Sequence, residues 1–163
     1  MPDLFTHICV AYLISLALNI KESHHRNIII AGSIFPDFWK IYMIFSPFIG
    51  YYTAKNFFAP LHMVLGVLIS GALFISFFEK SYWRKYYMLL MIGAGSHLLL
   101  DAFLYPYGWY GWPMGDGIWF LWPLLNIEFQ HGFIWPESYL PAVVSGIIVC
   151  AVILLRKYRF VNR

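Results

Sequence analysis

Five ionisable side chains stand inside apolar stretches of this chain: His7, Asp37, His62, His97 and Asp101. Ionisable groups at membrane depth are costly, so they face a protein interior and mark function. His97 and Asp101 are spaced i, i+4, which stacks them on one helix face and suits two ligands of one ion. Asp37 directly follows Pro36, where an irregular backbone can turn the carboxylate inward. Three imidazoles and two carboxylates form a mixed nitrogen and oxygen donor set. That set suits a divalent metal: zinc first, with manganese or iron as alternatives, and one or two ions. A lone histidine in a span is more often a hydrogen-bonded packing residue. Five such groups at one depth outweigh that reading.

The elements that must position these residues are apolar helices. Of 163 residues, 61% are hydrophobic and 12% charged, whereas soluble domains are about half apolar and about a quarter charged. Aromatics reach 21%, as interfacial Trp and Tyr belts require. The expected fold is all-α: one membrane-embedded domain over residues 1–163, with about five transmembrane helices. Candidate spans cover 4–20, 28–52, 57–78, 86–105 and 139–155, near the length a bilayer demands. The second is interrupted by Pro36, Lys40 and Pro47, and reads either as one broken crossing or as a re-entrant pair. The first lacks a basic leader, so it is retained structure and not a cleaved signal. Residues 106–138, rich in Gly, Pro and Trp, lack a clean period and form an outer interfacial segment.

Basic residues orient the spans. Lys21 and Arg26 follow the first span, Lys80, Arg84 and Lys85 precede the fourth, and Arg156, Lys157, Arg159 and Arg163 follow the fifth. Five crossings with the N-terminus outside put all three groups in the cytoplasm. Lys55 is then the one basic residue left outside between the second and third spans. All five candidate ligands fall in the outer half of the bilayer, a coincidence independent of the charges that set the orientation.

Other polar residues carry blander readings. His24 and His25 are solvated residues of a cytoplasmic loop. His131 and Glu128, in the outer segment, can reach the site. Asp116, between two glycines, is a turn residue, and Glu137 is divided between capping and chemistry. Cys9 and Cys150 lie in apolar runs and read as buried free thiols. A net charge of +3 gives no reason to expect nucleic acid.

Thr6-His7, Pro36-Asp37, His62 and Ser96-His97-Leu98-Leu99-Leu100-Asp101, in that order, resemble the membrane-bound metal-dependent hydrolases described as LexA-binding and inner-membrane-associated. The likeness covers about the first two-thirds of the chain, and Trp122-Pro123 resembles the family's later segment. That family is similar in turn to the zinc-dependent phospholipases C and single-strand nucleases, which implies a phospholipase C-like helical core. The resemblance implies Asp37, His62, His97 and Asp101 around one ion, with His7 on a second ion that Asp101 bridges. Departures are visible: Trp39 stands where the family commonly has a second aspartate, and Pro60-Leu61 precedes His62 in place of its His-Arg and Thr pattern.

The function these readings imply is metal-dependent hydrolysis of a lipid-linked phosphate ester at the outer face of the inner or plasma membrane. Asp37 or Asp101 would take a proton from water. Membrane lipids are the expected surroundings and a lipid or other phosphoester the expected substrate. The alternative is a non-enzymatic metal or proton transporter, or a regulatory membrane protein. An intramembrane metalloprotease is disfavoured because no His-Glu-x-x-His occurs.

Overall fold

A computed structural model describes residues 4–104, 121 and 138–161, and every element among them is helical. Helix α1 (Leu4–Ala17) has 14 residues, about 21 Å at 1.5 Å per residue. It stops before the expected residue 20 because the chain reverses through Asn19 at φ 53°. The Ile20 amide then donates back to Ser15 O at 3.0 Å, a left-handed helix cap in which Asn takes the usual place of Gly.

Helix α2 (Ser23–Ile34) opens inside the polar run expected to be a loop. It continues through a 3₁₀ stretch, Phe35–Ile41, into α3 (Tyr42–Ile49). The result is one apolar rod, Ser23–Ile49, of 27 residues. Pro36 does not break it, because Pro36 falls in the first turn of the tighter stretch, where a missing N–H costs least. Helix α4 (Tyr51–Phe58) runs into a second 3₁₀ turn, Ala59–His62. Met63 is extended (φ −97°, ψ 154°), and α5 (Val64–Ile75) leaves at 79° to the preceding rod. The expected third span is therefore bent. Helices α6 (Trp83–Leu104) and α7 (Leu140–Val161) are the remaining long elements.

Among the described residues three rods are long and apolar enough to cross a bilayer: Ser23–Ile49, Lys80–Phe103 and Leu140–Tyr158. Counting the bent pair as one span makes four. Their outer surfaces expose Phe48, Phe57, Ile69, Leu73 and Leu154, an inversion of the soluble pattern that suits lipid contact. Of the two cysteines, Cys9 is buried as expected, but Cys150 is exposed on α7. Except for residues 121 and 138, the segment 106–138 lies outside the described residues, and with it Asp116, Glu128, His131 and Glu137.

Helices α2 and α6 form the central packed pair. A Cβ at Gly32 would collide with the Leu90 carbonyl, and one at Gly93 with the Ile29 carbonyl. The two backbones therefore touch, as small residues permit between membrane helices. Ile29, Leu90 and Ala94 are buried around that contact. Gly95, two residues beyond Gly93 on the same helix, has open space where its Cβ would stand. Gly93→Ala should then destabilise the protein by about 1–3 kcal/mol through overpacking, and Gly95→Ala by no more than about 0.5 kcal/mol. Thermal unfolding of both variants in detergent checks the contrast, and equal losses would contradict the packing described.

Candidate metal centre

The α2–α6 contact sets up the site. Gly93 and His97 lie one turn apart on α6, and Gly32 and Ser33 are adjacent on α2, so the backbone approach brings the Ser33 carbonyl against the His97 ring. His97 Nδ1 lies 2.7 Å from Ser33 O. A carbonyl only accepts, so Nδ1 carries the proton and donates it. Neutral His97 then presents the Nε2 lone pair on its other side. Ligating histidines are commonly oriented this way, by a hydrogen bond from the distal ring nitrogen.

Nε2 of His97 points into a group of acceptors. It lies 3.2 Å from Asp101 Oδ2, 3.8 Å from Asp37 Oδ1 and 3.1 Å from His62 Nε2. His62 Nε2 is also 3.0 Å from Asp101 Oδ2, and His7 Nε2 is 3.4 Å from Asp101 Oδ1. The rings of His7 and His97 stack at 3.9 Å. One carboxylate thus faces three imidazoles. All five residues are buried, with His7 and His97 fully enclosed.

Local structure explains each position. His7 occupies the first turn of α1. His62 ends the rod that precedes the 79° bend, and Gly66 on α5 fits against the Pro60 carbonyl, where a Cβ would collide. The 3₁₀ stretch at Phe35–Ile41 nearly eclipses residues three apart. Lys40 consequently lies above Asp37 and places Nζ 2.7 Å from Asp37 Oδ2, leaving Oδ1 toward His97. The expected irregular backbone at Asp37 is this 3₁₀ turn.

Two observations fit the group to a cation. Both ring nitrogens of His7, Oδ1 of Asp37 and Oδ1 of Asp101 are buried without an aligned hydrogen-bond partner among the described residues. Buried polar atoms are ordinarily paired, so such a concentration needs a cause. With neutral imidazoles, two carboxylates and Lys40 leave one net negative charge inside a low-dielectric interior, which is costly without compensation. The donor spacing also fits. Ligands at about 2.0–2.2 Å from a tetrahedral ion lie about 3.3–3.6 Å apart, and the separations above bracket that range. Donor atoms of His7, His97 and Asp101 all lie within 4.8 Å of one another, as do those of Asp37, His62 and His97. These groups can hold a metal ion.

No protein-family model, curated protein or solved structure matches this chain. The histidine–aspartate cluster is therefore read from its own geometry. It brings together all five residues singled out by type and depth. In the sequence Lys40 reads as an interruption of the span; its i, i+3 spacing from Asp37 is the signal for the pair the structure shows. His24 is exposed as expected, but His25 is buried, 2.8 Å from Glu22 Oε2 and edge-on to Tyr86. The polar run around it belongs to α2, so the helix turns His25 inward.

Cobalt(II) titration of the purified chain should give the visible absorption of a four- or five-coordinate site. His97→Ala and Asp101→Ala should abolish it, and Lys40→Met should weaken uptake roughly 10–100-fold, as loss of a group that orients a ligand does. Wild-type protein that takes up no cobalt or zinc would end the metal reading.

Proposed function

We propose that the chain is a metal-dependent hydrolase of a phosphate ester, with zinc the first candidate for its ion and a lipid-linked compound for its substrate. The buried gathering of three imidazoles and two carboxylates, as two donor triads that share His97, carries this reading. The sequence resemblance to membrane-bound metal-dependent hydrolases supports it. When bound, a divalent cation supplies Lewis acidity toward a phosphoryl oxygen and eases deprotonation of water. The residues of the chain do the rest. His97, fixed by Ser33, and His62 hold their Nε2 atoms toward the shared point. Asp101 spans the cluster, one oxygen toward His62 and His97 and the other toward His7. Asp37, anchored through Oδ2 by Lys40, keeps Oδ1 free to accept a proton from water.

The same proposal includes topology. Five crossings, with α1 and the bent pair counted, put the N-terminus and the cluster toward the outer face of the inner or plasma membrane. In that arrangement the start of α1, the middle of the Ser23–Ile49 rod, the bend at Met63 and the last turns of α6 meet at the cluster. Their side chains meet, as an alternating up-and-down path requires. The lipid character of the substrate rests on this location.

The decisive assay is hydrolysis of phospholipid and of a soluble phosphodiester, with and without chelator. Activity should vanish on chelation and return with zinc. Asp37→Asn should lower kcat about 10²–10⁴-fold, the range for loss of a general base. Metal-loaded protein inactive on phosphate esters of every class would leave a carrier or regulatory role in place of the enzyme.

A further inference from the structure

The sequence places Lys55 outside the membrane, as the one basic residue left on that side between the second and third spans. In the structure it is buried, 3% exposed, in α4. Lys40, the other lysine near the cluster, is paired with Asp37. No carboxylate pairs with Lys55 among the described residues. Its contact is the face of Tyr51, whose ring centroid lies 5.6 Å from Nζ, a cation–π interaction that offsets part of the desolvation cost. A buried ammonium without a counter-charge is strongly disfavoured. Snorkelling toward lipid headgroups would expose the head of the side chain, and this residue is enclosed.

The position of Lys55 relative to the cluster follows from the helix. Lys55 and His62 belong to one helical rod, Tyr51–His62. Seven residues are about two turns, so both project from the same face, about 10–12 Å apart along the axis. A row of rings joins them. Trp39 meets His62 edge-on at 6.0 Å, Tyr42 stacks on Trp39 at 5.1 Å, and Tyr51 meets Tyr42 at 5.6 Å. Lys55 stands over the last of these rings.

We propose that Lys55 is an anion-binding residue of the histidine–aspartate site, where it neutralises a phosphate group of the substrate. This deepens the hydrolase reading and rests on it for the word substrate. The chemistry assigned is electrostatic: an ammonium gives one compact, three-donor positive charge, and the enclosing aromatic wall limits competition from water. The ligand class is an anionic phosphate compound whose charged oxygens reach from the cluster toward Lys55.

The test is isothermal titration of the purified full-length chain in detergent with inorganic phosphate, metal-loaded and chelated. Wild type should bind phosphate. Lys55→Met should weaken binding at least about tenfold, the size expected for removing one partner of a buried charge pair, while Lys55→Arg stays within about threefold of wild type because it keeps the charge. The cobalt spectrum should be unchanged in both variants. Equal phosphate affinity in Lys55→Met and wild type overturns the proposal, as does a wild type that binds no phosphate. Equal loss in Lys55→Met and Lys55→Arg assigns Lys55 to packing and overturns it too. Failure of the metal reading appears separately, as absence of the cobalt spectrum, while a Lys55-dependent phosphate isotherm in chelated protein would still uphold the anion site.

Discussion

Two backbones in contact govern this molecule. Without a side chain at Gly32 or Gly93, α2 and α6 approach until carbonyls of one helix lie against glycine of the other. Apolar solvent supplies no hydrophobic drive between helices in a bilayer, so close packing must do the holding. The same approach delivers the Ser33 carbonyl to His97 Nδ1. A packing device and a chemical one therefore coincide: the crossing that joins the helices also selects the tautomer of the central histidine.

From that histidine the rest of the site is a matter of reach. Asp101 comes from one turn farther along the same helix, His7 from α1, and His62 and Asp37 from places where the chain tightens into 3₁₀ geometry. Those tight turns coincide with Pro36 and Pro60, each in the first turn of its segment. Proline in the body of an apolar helix would cost about 3 kcal/mol. Placed here, it fits helices that change pitch beside ligands. The bilayer leaves few ways to satisfy such irregular backbone except toward a protein interior.

Much of this was legible in the sequence because a membrane makes polar residues conspicuous. His7, Asp37, His62, His97 and Asp101 stood out by type and depth, and the His97–Asp101 spacing predicted their shared face. The helical class followed from composition. What was hidden depends on geometry that residue identity does not carry. The Ser33 carbonyl is backbone. Gly93 and Gly95 look alike in sequence, yet only Gly93 faces α2. The 79° bend arises at Met63, an unremarkable residue, and divides an apolar run that reads as one span. His25 reads as solvated because its neighbours are polar, and Lys55 as lying outside because it falls between two spans, whereas helix rotation and aromatic cover bury them.

The stacking of the two donor triads on His97 has a consequence in valence. A neutral imidazole whose Nδ1 proton is committed to Ser33 has one lone pair left to give. His97 belongs to both triads, yet it can complete only one at a time. Asp101, with two oxygens directed to opposite sides, has no such restriction. The triads are thus alternative seats that compete for a single nitrogen. Simultaneous filling would require His7 and Asp101 to serve the second seat without His97, so the first and second equivalents of cation would bind with unequal strength.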